Sequence, residues 1–81
     1  MTRDVTAKPA YVATYPARVP VPGTQPTKFR DLRCFRGPVS EVRALVAMTV
    51  ASNPGAAARY EQDYPGLDQL YVEVLMPLET P

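Results

Sequence analysis

Asn53-Pro54-Gly55-Ala56-Ala57-Ala58-Arg59-Tyr60-Glu61-Gln62-Asp63-Tyr64 is the stretch on which the architecture turns. Ala56, Ala57 and Ala58 are strong helix formers. Asn53 is a suitable N-cap, and Pro54 suits the first helical position. Arg59 and Asp63 lie four apart, as do Tyr60 and Tyr64, so each pair shares a face of a helix. Pro65-Gly66 supplies a stop. The segment is read as a short helix over 54–64.

The flanking segments give the rest. Before it, Val39, Val42, Val46 and Val50 recur at spacings of three and four, with Leu45 and Met48 widening the stripe. That period predicts a helix over Pro38–Ser52, with Pro38 at its first position after Gly37. After it, Leu70, Val72, Val74 and Met76 alternate with Gln69, Tyr71, Glu73 and Leu75, the period of a strand. Residues 28–36 form a shorter strand, with Phe29 and Phe35 on one face and Leu32 and Cys34 on the other.

Residues 1–28 hold Pro9, Pro16, Pro20, Pro22 and Pro26. Proline fixes φ and lacks an amide donor, so this part is extended. Tyr11-Val12-Ala13-Thr14-Tyr15 has strand-like content and suits a sheet edge, where proline is tolerated. The expected fold is α+β: two helices on a small antiparallel sheet, preceded by an extended Pro-rich N-terminal arm. The arm covers 1–28 and the small domain 29–81. Val42, Leu45, Val46 and Val50 are expected to pack on the apolar face of the last strand.

The chain has 81 residues. A compact part of this size forms a marginal core unless a disulfide, a metal or a partner adds to it. Cys34 is the single cysteine, and histidine is absent. No intrachain disulfide can form, and the ligand set for structural zinc is poor. The expectation is a protein partner or a homo-oligomer, with no metal and no cofactor.

Catalytic chemistry has little to work with. The usual base near neutral pH is missing. Cys34 has Arg33 and Arg36 nearby, but it reads as a small buried residue between Leu32 and Phe35. Glu61 and Asp63 do not share a helix face, and the glycines are unclustered, so no phosphate loop is present. The chain is read as a non-enzyme. The N-terminus is not followed by an apolar run, and no segment approaches the length of a membrane span. The expected location is the cytoplasm, or a virion if the chain is phage-encoded.

Charge divides the chain. Residues 1–36 carry seven basic against two acidic side chains, a balance of +5, and residues 37–81 carry two against six, a balance of −4. Such a split suits head-to-tail contact between copies or docking of the basic part on an acidic surface. The arm holds the candidate partner contacts Tyr11, Tyr15, Arg18, Val19 and Val21, with the Val-Pro pairs as anchors and Arg3 at the rim. The expected function is that of a small structural subunit. It docks on a larger assembly through the arm, with a phage particle, as a minor or decorating capsid protein, one concrete setting. The alternative is a small regulatory protein that binds nucleic acid through Lys28, Phe29, Arg30, Arg33 and Arg36, where basic and aromatic residues interleave.

Overall fold

A computed structural model of the chain describes residues 12–78. The elements are β1 (Ala13–Pro20), β2 (Phe29–Pro38), α1 (Val39–Ser52), β3 (Ala57–Tyr64), a short 3₁₀ turn (Pro65–Leu67) and β4 (Gln69–Leu75). The strands form one sheet in the order β1-β2-β4-β3, every neighbouring pair antiparallel. The helix α1 lies against one face of that sheet.

The expected pair of helices is therefore corrected to one helix on a four-stranded sheet. Residues 57–64 are a strand, not a helix. Two physical reasons account for this. The alanine preference for helix is only a few tenths of a kcal/mol per residue over most alternatives, and a helix of about 11 residues is marginal without tertiary packing. Against that, β4 is apolar on one face along its whole length, and strand β3 completes its hydrogen bonding on the second edge. The spacing that favoured a helix was ambiguous. Residues four apart share a face at either period, so Tyr60 and Tyr64 align in a strand as well. The expected Arg59–Asp63 pair is also replaced, because Arg59 Nε instead lies 3.0 Å from Glu73 Oε1.

The N-terminal boundary is different too. Ala13–Pro20 pairs with β2 along its whole length, so this part of the Pro-rich segment is an edge strand of the sheet. Residues 1–11 lie outside the described residues. The hairpin joining β1 to β2 closes on Thr24, whose Oγ1 donates to Val21 O at 2.9 Å and accepts from Lys28 N–H at 2.8 Å. Gly23 sits at φ +80 in that turn, a conformation that glycine adopts without strain.

The core forms where α1 crosses β2 and β4. Val42, Phe35, Leu70, Val72, Val74, Met76 and Ala56 are its buried members, with Val39, Leu45, Val46 and Val50 packed at its margin. The expected packing of the helix stripe on the β4 face is present. Met48 departs from it and is 63% exposed, because it falls on the far side of the helix from Val42. Pro38 serves as the last residue of β2 and as the N-cap of α1 rather than its first helical residue.

Candidate functional site

The face of the sheet opposite α1 is built by strand alternation. Register places three rows that cross all four strands on it. Tyr15, Cys34, Glu73 and Tyr60 form one row. Ala17, Leu32, Leu75 and Ala57 form the next, and Ala13, Arg36, Tyr71 and Gln62 lie on the other side of the first. Tyr64, opposite Gln69, closes the end. No helix or strand among the described residues covers this face.

Its centre is apolar and tight. Leu32 and Cys34 are 5% and 6% exposed although neither belongs to the helix-side core. They lie on β2, flanked on both sides by side chains of β1 and β4, which shield them. Around them stand aromatic rings. Tyr15 and Tyr60 are about half exposed, at 49% and 47%. Tyr60 meets Tyr71 edge to face with centroids 6.0 Å apart.

The polar groups on this face are held by one another. Tyr71 donates its hydroxyl to Glu73 Oε2 at 2.7 Å, and Arg59 Nε donates to Glu73 Oε1 at 3.0 Å. Arg59 reaches Glu73 because the β3 register shifts between Ala58 and Tyr60, leaving Arg59 in a bulge. The hydrogen bond from Tyr71, and then Arg59, hold the Glu73 carboxyl below the ordinary carboxylate range against the opposing effect of desolvation. The Tyr71 phenol is held far above the ordinary tyrosine range, first by its hydrogen bond with Cys34 and next by that with Glu73, with burial adding to both. At the far end, Arg36 lies 4.7 Å over the Tyr64 ring and donates from Nε to Gln69 Oε1 at 3.3 Å.

The candidate partner residues are divided by the fold. Tyr15 and Val19 lie on the uncovered face. Arg18 points to the opposite side, its guanidinium 4.5 Å above the Phe29 ring. Val21 enters the hairpin turn, where its backbone N–H donates to Lys28 O at 2.8 Å. Tyr11 lies outside the described residues.

Alternation also splits the basic-aromatic run. Arg30 and Arg36 fall on the uncovered face, whereas Phe29 and Arg33 fall on the helix side and Lys28 lies in the turn. Arg30 donates from Nε to Met76 O at 2.8 Å, which ties it to the end of β4. Phe35 is part of the core and unavailable for stacking. A depression of about 400 Å³ lies beside β1, lined by Pro16, Ala17, Arg18, Asp31, Leu32 and Arg33.

Tyr60, Tyr64 and Tyr71 were not singled out by sequence reading as surface residues. A period of two over 60–64 would have aligned Tyr60, Gln62 and Tyr64 with the Tyr71–Glu73–Leu75 face of β4. Among the described residues, no cluster of three or more His, Cys, Asp or Glu side chains is placed to hold a metal ion. No described helix is long and apolar enough to cross a membrane. Comparison with family models, with curated proteins and with solved structures returned no match.

Proposed function

We propose that the chain is a non-enzymatic structural subunit that docks on a larger assembly, with its N-terminal arm and the adjoining uncovered face of the sheet forming the contact. One observation carries this reading: a sheet with a helix on one side only presents Tyr15, Tyr60, Tyr64 and Tyr71 on the other. Antiparallel sheets often turn one face to water, but that face is then usually polar. Here the centre is apolar and the rim is aromatic, the composition of a contact surface. The arm leads into β1, which brings Tyr15 and Val19 to the same surface. A phage particle, with the chain as a minor or decorating capsid protein made in the host cytoplasm, is the setting proposed for it.

A second reading has its own support. Arg30 and Arg36 share the uncovered face with the tyrosines, and cations beside aromatic rings suit single-stranded nucleic acid. Fractionation of the native assembly separates the two. Docking through aromatic and aliphatic contacts predicts that the chain travels in the high-mass fraction and stays there after nuclease and at high salt. The Tyr15→Ser variant shifts to the low-mass fraction. Release by nuclease, or a steep loss of binding as salt rises, assigns the face to nucleic acid instead. A chain found only at low mass in every condition contradicts both.

A further inference from the structure

The helix covers only part of its side of the sheet. The buried core beneath α1 draws on β2, β4 and Ala56 and takes no residue of β1. Register puts Pro16, Arg18, Asp31 and Arg33 on that same side, with Pro16 opposite Arg33 and Arg18 opposite Asp31. All four are exposed, and they line the depression of about 400 Å³ beside β1. Ala17 and Leu32 pair beneath it with their side chains turned to the other face, so they give it a backbone floor. Pro16 and Pro20 lack the amide donors that a further strand would use, so contact with this flank runs through side chains.

Two cations stand on the rim of this depression without an acidic partner. Among the described residues the ion pairs are Arg43–Glu61 and Arg59–Glu73. Arg30 donates to Met76 O and Arg36 to Gln69 Oε1. Arg33 has no such bond to a described residue, and Arg18 rests 4.5 Å over the Phe29 ring. That stacking holds the guanidinium plane in place and leaves its N–H edge for an incoming carboxylate. The complementary charge lies on the hairpin that joins β3 to β4. No basic residue occurs between Arg59 and Leu78. The tip, Pro65-Gly66-Leu67-Asp68, is closed by Asp68 N–H donating to Pro65 O at 3.3 Å, with Asp68 at φ 51. Leu67 is 52% exposed at this tip. Asp63 and Asp68 flank it in sequence, both exposed and neither in an ion pair with a described residue.

We infer that the β3–β4 hairpin tip of one copy docks in the depression beside β1 of a second copy. Leu67 lies over the Pro16 ring and the aliphatic stems of Arg18 and Arg33, and Asp63 and Asp68 face the two guanidiniums. Charge complementarity names a second copy as the occupant. The tip brings two carboxylates to a rim of two guanidiniums, with Asp31 as the opposing charge on that rim. A chain cannot fill its own depression, because β1 and β3 are opposite edges of the sheet with β2 and β4 between them. The contact joins unlike surfaces, so it closes as a ring or grows as a filament. It goes beyond the docking reading above. It uses neither Tyr15 nor the uncovered face, so each can fail without the other.

Sedimentation of the purified full-length chain at low salt tests this with two complementary variants, all at exposed positions. Arg18→Glu with Arg33→Glu turns the depression against the tip. Asp63→Lys with Leu67→Ser removes the knob and turns one of its charges against the rim. The parent chain is expected to form concentration-dependent oligomers and each variant alone to be monomeric. An equal mixture of the two is expected to form a one-to-one dimer that grows no further, because one partner keeps the tip and the other the depression. Asp31→Asn removes the acid from the rim and is expected to tighten association of the parent about twofold or more. If Arg18→Glu with Arg33→Glu does not fold, Arg33→Glu alone replaces it and is expected to raise the dissociation constant about fivefold.

A parent chain that stays monomeric at all concentrations overturns the inference, and so does a mixture that stays monomeric. Oligomers that survive both variants show that another surface is used, which also overturns it, as does weaker association of Asp31→Asn. A monomeric parent that is nevertheless retained on the native assembly leaves the docking reading standing while the contact between copies fails.

Discussion

Tyr71 and Glu73 lie two residues apart on β4, and the phenol donates to the carboxylate at 2.7 Å. Because residues two apart share a face, both stand on the side of the sheet away from α1. Arg59 joins them from the bulge in β3, and Cys34 from β2 completes the cluster. The cluster stitches three strands together on a face that no helix supports.

The carboxylate in this cluster gives the fold an acid sensitivity. Glu73 has its folded-state pKa below the ordinary value of 4.5, chiefly through Tyr71. A depressed acid contributes stability that is full above the unfolded value and is lost as pH falls through the folded one. The Glu73→Gln variant is therefore less stable than the parent near neutral pH. The gap between their urea midpoints narrows as pH drops below 4.5. A constant gap through the acid range contradicts the assignment.

The phenol gives the opposite limb. The Tyr71 pKa is raised above the ordinary value of 10.0. A raised pKa contributes stability that is full below the unfolded value and is lost as pH rises through the folded one. Alkaline absorbance titration is expected to show one tyrosine ionising after the ordinary range. Glu73→Gln, which removes the carboxylate that the phenol donates to at 2.7 Å, should bring it back toward that range.

Residues 57–64 offer a test of sign. Ala57 sits in a strand and is exposed. Threonine favours a strand over alanine by up to about 1 kcal/mol and disfavours a helix by about 0.5 kcal/mol. Ala57→Thr is expected to raise the thermal midpoint. A fall places the segment in a helix.

How much of this was legible in the sequence follows from period. The β4 alternation and the Val39–Val50 stripe each match one period only, and both were readable. The Arg59–Asp63 and Tyr60–Tyr64 spacings fit either period, so alanine content tipped the reading toward a helix. The difference lay in tertiary pairing: β4 needed a second neighbour, and no local signal states that. The uncovered face was hidden for the same reason, since Tyr60 and Tyr64 join Tyr15 only through β2 and β4. Tyr15 and Val19 could be singled out because prolines around them already forced an extended chain.

Core energetics follow burial. Leu70 is 1% exposed between β4 and α1. Leu70→Ala is expected to cost about 3 kcal/mol by loss of contacts and by the cavity left behind. Met48→Ala, at a position on the outer side of the same helix, should stay within about 0.5 kcal/mol. Urea unfolding of both variants checks the contrast, and equal losses contradict the placement of the core.

The most direct test of the docking face is site-specific photo-crosslinking in the cells that make the protein. A benzophenone amino acid is placed at position 15, on the uncovered face, and in a second chain at position 47, on the exposed side of α1. The account predicts one discrete protein adduct from position 15 and none from position 47. No adduct at 15, the same adducts from both positions, or an adduct to nucleic acid would contradict it.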